Sequence, residues 1–188
     1  NLGLPAPKKG TVDVPEPSLK QSPALSQMNL LGAGIKGRKV AVLVTHGVDG
    51  ERVDGLVKEL EAESAPIKLL GPTSAPVKTA QGKTLVVDAS MEGMPSVVFD
   101  AVWVPGGKDS LQALGADGVA LHFLLEAYKH LKPIGLASEA QPVLDKLGLK
   151  TDSGLLLGND DKAYKAFINA ISKHRVWERE AAAKAIPA

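Results

Sequence analysis

From Lys39 onward the chain alternates short apolar runs, rich in β-branched residues, with amphipathic stretches of helical length. A strand buried on both faces reads as a continuous apolar run, and parallel strands need a crossover between them, usually a helix. The alternation therefore predicts βαβ units, a mostly parallel sheet and an α/β fold. KVAVLVT (Lys39 to Thr45) reads as the first strand, and Val53, Leu56, Val57 and Leu60 follow at i, i+3, i+4 and i+7, the spacing of a helix with one apolar face. IKLLG (Ile67 to Gly71), the run Ala101 to Val104, PIGLA (Pro133 to Ala137) and LLLG (Leu155 to Gly158) supply further strands. GVALHFLLEAYKHL (Gly118 to Leu131), EAQPVLDKLG and the segment carrying Tyr164, Phe167, Ile168 and Ile171 supply helices. The second of these closes at Gly148, where a left-handed cap is usual. VKTAQGKTLVVD reads as a hairpin turning at Gln81 and Gly82, an antiparallel excursion from the pattern.

Residues 1–37 show neither periodicity. Pro5, Pro7, Pro15, Pro17 and Pro23 are interleaved with Gly, Ser and Lys, and an extended segment of that kind reaches about 3.1 Å per residue. The expected organisation is a proline-rich linker over 1–37, one domain over 38–175 and a tail over 176–188. Met28, Leu30 and Leu31 form a short apolar stretch that either docks on a neighbour or is part of a merely disordered linker; composition fits both. A first residue of Asn rather than Met reads as a piece of something longer.

Several function classes are excluded by composition. Cysteine is absent, which removes disulfides, thiolate metal sites and a cysteine nucleophile. Basic residues number 22 and acidic residues 21, with no dense basic patch to follow a phosphate backbone, so nucleic acid is not an expected partner. No run approaches the ~20 apolar residues of a membrane span, and the expected location is cytoplasmic. His46, His122, His130 and His174 share no metal-ligand spacing, so no metal is expected.

In an open α/β sheet, ligand sites form beyond the carboxyl ends of the strands. THGVDGE, PGGKDS and SEAQ are the loops that fall there. Gly106 and Gly107 are a candidate anion or oxyanion turn, because glycines let backbone N–H groups face a concavity; a tight strand-to-helix turn with positive φ is the plainer reading. Ser138, between a buried strand and a helix, occupies the position of a nucleophile elbow. A serine hydroxyl is inert there without a base to take its proton, and Leu136 and Ala140 stand where such a turn shows glycines. Capping the following helix is the simpler role for Ser138. The catalytic alternative uses His46 as base, oriented by Glu51 or Asp49. Trp103, between Val102 and Val104 on a buried strand, reads as core.

The segments KVAVLVTHGVDG, DAVWVPGG and KPIGLASEAQPVL, between Lys39 and about Lys173, resemble the type 1 glutamine amidotransferase-like superfamily, including its PfpI branch. The implied fold is a flavodoxin-like three-layer sandwich. In that resemblance the superfamily's nucleophilic cysteine falls on Ser138, its histidine on Glu139 and its elbow glycine on Ala140. The glutamate that follows the first strand in catalytic members falls on Arg52, with Glu51 one place away. NLGLPAP, SPALSQ, GRKVAVLV with its following GVDG, and KHRVWERE extend the likeness over nearly the whole chain, which resembles the C-terminal region of large-subunit (clade 2) haem catalases. Those enzymes break down hydrogen peroxide with haem held in a separate core.

The resemblance implies a non-catalytic accessory domain, a degenerate elbow at Ser138, Glu139 and Ala140, and no cofactor in this chain, haem belonging to the parent enzyme. Neither Tyr128 nor Tyr164 sits in a motif resembling the haem ligand's. The implied partners are the catalase core and the neighbouring subunits of a tetramer, with unfolded client proteins if the domain acts as a chaperone. The alternative is a PfpI-like hydrolase or glyoxalase that uses Ser138, His46 and Glu51, with the Gly106 and Gly107 amides as oxyanion hole.

Overall fold

A computed structural model describes residues 22–26 and 34–186, so most of the expected linker, with Met28, Leu30 and Leu31, lies outside the described residues. The strands in chain order are β1 (Val40–Leu43), β2 (Ile67–Gly71), β3 (Val77–Lys78), β4 (Thr84–Leu85), β5 (Ala89–Ser90), β6 (Ala101–Val104), β7 (Ile134–Leu136) and β8 (Leu155–Leu157). Six of them form one sheet in the order β5-β2-β1-β6-β7-β8, and every neighbouring pair is parallel. β3 and β4 form the expected antiparallel hairpin as a separate ribbon.

The helices are α1 (Gly50–Ala62), α2 (Lys108–Ala116), α3 (Gly118–Lys129), α4 (Gln141–Leu147), α5 (Asp161–Ser172) and the single turn α6 (Glu180–Ala183). Successive strand residues point to opposite faces, and the central strands use both. Val40 and Val42 of β1 pack with Leu56 of α1 and Phe167 of α5, whereas Ala41 and Leu43 pack with Leu114 of α2 and Phe123 of α3. The result is an α/β three-layer sandwich with helices on both faces of a parallel sheet. Trp103 is buried in the α1–α5 layer, edge-on to Tyr164 and Phe167 at centroid distances of 5.3 and 4.9 Å. Its register partner is Gly135.

Several local features differ from the sequence pattern. α2 is a helix that the sequence pattern does not give, whereas α3 begins at Gly118 as read, where the Asp117 carboxylate accepts from the N–H groups of Val119 and Ala120 as its N-cap. β5 is a two-residue strand at the sheet edge, too short to show periodicity. A 3₁₀ turn at Ser96–Val98 leads into β6. Ser138 does not cap α4: Ser138–Ala140 form a 3₁₀ turn, and Gln141 begins the helix without a side-chain cap. Gly148 closes α4 with φ 65°, the left-handed cap that the sequence predicts.

Beyond α5 the chain packs back on the body. Val176 and Ala183 are buried, and the Arg179 guanidinium donates to both Asp152 carboxylate oxygens and to the Lys132 carbonyl, each at 2.8 Å. It also lies 4.2 Å from the centroid of the Tyr128 ring.

Candidate functional site

The loops after β1, β6 and β7 meet beyond the carboxyl ends of their strands. Asp49 donates its N–H to the Gly106 carbonyl at 3.1 Å, and the Thr45 hydroxyl bonds that of Ser110 at 2.9 Å, which joins the first two loops. Gly107 has φ 101° and lies against the backbone of Gly47 and Asp49, so both its conformation and the close approach require glycine. The hairpin closes the first loop from the other side, where Gly47 donates to the Lys78 carbonyl at 2.7 Å.

Arg52 and Glu139 dominate this corner. The Arg52 guanidinium forms an ion pair with Glu139, and its Nε is 3.0 Å from the Asp49 carboxylate. The pair stands directly over Gly106, where a Cβ would collide with both side chains. The second oxygen of Glu139 accepts from the Asn159 amide at 2.9 Å and from the Ser138 hydroxyl at 3.2 Å. Asn159 also donates to the Ser138 Oγ and accepts from the Ser138 N–H at 3.0 Å. Desolvation pushes the Glu139 carboxyl upward, but the Asn159 hydrogen bond, its own backbone N–H, and the hydrogen bond and charge of Arg52 outweigh it and hold it at about 2. A carboxylate stabilised to that degree is a weak proton acceptor.

The other candidates make no hydrogen bond to Ser138 among the described residues. His46 is exposed and its Nδ1 accepts from the Lys78 N–H at 3.0 Å. In the neutral imidazole that contact engages the Nδ1 lone pair and leaves the proton on Nε2. Glu51 is exposed in the first turn of α1, and no hydrogen bond or ion pair ties it to Ser138. Ala140 is buried. Asn159 went unrecognised in the sequence, although its place after the LLL strand puts it at the carboxyl end of β8. Among the described residues, no group of acidic or histidine side chains could hold a metal ion, and no helix is long and apolar enough to cross a membrane.

This architecture is a flavodoxin-like α/β fold, one that solved DJ-1 proteins share. The chain superposes on Drosophila melanogaster DJ-1beta with a TM-score of 0.65 at 16% identity, covering 78% of this chain and 95% of that one. A DJ-1 superfamily protein from Salmonella typhimurium gives a TM-score of 0.64 at 20% identity, covering 78% and 94%. Residues 36–181 match the model of the C-terminal domain found in long catalases, and the chain belongs to that family. It is 63% identical to catalase HPII of Pseudomonas putida over its whole length and 49% identical to catalase HPII of Pseudomonas aeruginosa over 93% of it. Catalase-B of Dictyostelium discoideum is 38% identical over the whole chain. The chain spans about a quarter of the length of these relatives, 26%, 25% and 28% respectively.

Proposed function

We propose that this chain is a non-catalytic accessory domain of a large-subunit catalase, held to the haem-bearing core by residues 1–37, and that its contribution is packing surface that stabilises the assembled tetramer. The observation that carries the reading is the Arg52–Glu139 pair lying across Gly106, with the Ser138 hydroxyl tied to Glu139 and Asn159. Groups that would have to be free for acyl transfer are instead bound to one another. Removing residues 36–188 from the full-length parent is expected to leave its haem spectrum intact and to lower the temperature at which the tetramer dissociates, read by light scattering. An unchanged dissociation temperature overturns the stabilising role. A serine-directed phosphonate probe tests the hydrolase alternative: no adduct is expected at Ser138, and labelling that disappears in Ser138→Ala would replace the accessory reading with a catalytic one. That the domain also binds unfolded client proteins is a separate proposal, and it is withdrawn if an equimolar amount of the chain fails to slow the aggregation of a heat-denatured test protein.

A further inference from the structure

α2 and α4 pack on the same face of the sheet, and their first turns follow the carboxyl ends of β6 and β7. Between them runs a groove of about 470 Å³, within the roughly 300–1,000 Å³ typical of small-molecule sites. Its floor is apolar: Leu111 and Val143 are buried beneath it, and Pro142 forms an exposed edge. Lys146 closes one end, donating to the Gly115 carbonyl at 2.7 Å. Lys108 stands on the first turn of α2, about 10 Å along the helix from Gly115. Gly115 recesses the wall of the groove. A Cβ there would meet Val143 at 3.7 Å and the Lys146 Nζ at 3.9 Å, both ordinary contacts, and its φ is not positive. Neither packing nor backbone conformation therefore demands glycine at this place in a helix, where alanine is the better helix former.

The charges that line the groove do not balance. Glu139 borders it, but its carboxylate is paired with Arg52 and accepts from Asn159 and Ser138. Lys108 and Lys146 have no ion pair among the described residues, and Lys108 and Gln112 make no hydrogen bond there either. Those two side chains stand at i and i+4, on one face of α2. We propose that the groove binds a small amphipathic carboxylate. The carboxylate meets the Lys108 ammonium and the Gln112 amide, and an aliphatic or aryl body lies over Leu111 and Val143 against Pro142. The unbalanced cations select an anion, and two donors of different kind suit the two oxygens of a carboxylate. The deep apolar floor, about 10 Å long between its ends, suits a narrow body of medium length. This ligand is additional to the packing role and does not depend on it.

The test uses the full-length, haem-loaded parent and, as probe, octanoate carrying a diazirine on its chain, with labelled peptides located by mass spectrometry after irradiation. Adducts are expected on the α2 and α4 peptides, competed by plain octanoate and not by octanol. Lys108 is exposed and makes no contact that folding needs, so Lys108→Gln is expected to keep the fold and to lower this labelling about tenfold, the order of effect of losing one charge-assisted hydrogen bond. Gly115→Leu, whose side chain enters the groove, is expected to abolish it. Adducts on α2 and α4 that octanol competes equally, or that persist in Lys108→Gln, would overturn the carboxylate assignment. A larger loss in Lys146→Gln than in Lys108→Gln would overturn the placing of the head group. Labelling confined to other peptides, or none at all, would overturn the site, and the tetramer-stabilising role would still stand or fall by its own dissociation temperature.

Discussion

Arg52 and Glu139 carry the charge pattern of the corner in the opposite sense to the catalytic superfamily that the sequence resembles: a cation where the glutamate falls and an anion where the histidine falls. The pair has a pH signature. Glu139 is held at about 2 in the folded chain against an ordinary value of 4.5, so the unfolded chain binds the extra proton between those limits. The stabilisation is complete above about 4.5 and is lost as the pH falls towards 2. Glu139→Gln is expected to flatten that part of the stability–pH curve, measured by urea unfolding between pH 5 and 3, and a curve that stays parallel to the parent's refutes the assignment. Gly106→Ala is expected to cost about 1–3 kcal/mol, because the new Cβ forces Arg52 and Glu139 apart and presses on Ala137. Denaturation midpoints of the two proteins measure it. Ser138 and Glu139 were legible in the sequence because the elbow position follows from strand-then-helix order. The network that holds them was not, since Arg52 lies 87 positions from Glu139 and Asn159 lies 21 from Ser138.

At the scale of elements, β6 and β7 show why the central strands could be read directly. Both are buried on two faces, so each is an uninterrupted apolar run whatever its neighbours. Their pairing imposes a finer condition that no periodicity reveals. Trp103 lies over Gly135 on the adjacent strand, and a Cβ at Gly135 would fall well inside contact distance of the indole. Gly135→Ala is therefore expected to destabilise the chain by about 1–3 kcal/mol and to shift the Trp103 fluorescence, because the ring must leave its edge-on contacts with Tyr164 and Phe167. An unchanged emission maximum would show that the strand rather than the ring gives way. The elements missed in the sequence are short ones. α2 spans nine residues directly before α3, and β5 spans two residues paired in parallel with β2.

For the molecule as a whole, the boundary at 175 decides what counts as the body. HRVWEREAAAKAIPA has few large apolar side chains, Val176, Trp177 and Ile186, set among charged residues, and Arg179 inside it is a residue type seldom found buried without a partner. The structure supplies that partner: Arg179 pairs with Asp152, whose carboxyl is pulled below its ordinary value by the Arg179 hydrogen bonds and charge and by the N–H groups of Gly154 and Leu155, in spite of its desolvation. Breaking such a pair from one side leaves a half-buried carboxylate and the Lys132 carbonyl without their donor, a loss of about 3 kcal/mol. For a protein of this size that is on the order of 10 °C in melting temperature. Arg179→Ala and truncation after Arg175 are both expected to show at least that drop by calorimetry, the truncation more, because it also uncovers the surface beneath Val176 and Ala183. The two variants separate the possible reasons for the packing. Equal losses would assign the effect to the ion pair alone. A truncated chain that melts with the parent would show that the segment after Arg175 adds nothing to the stability of the body.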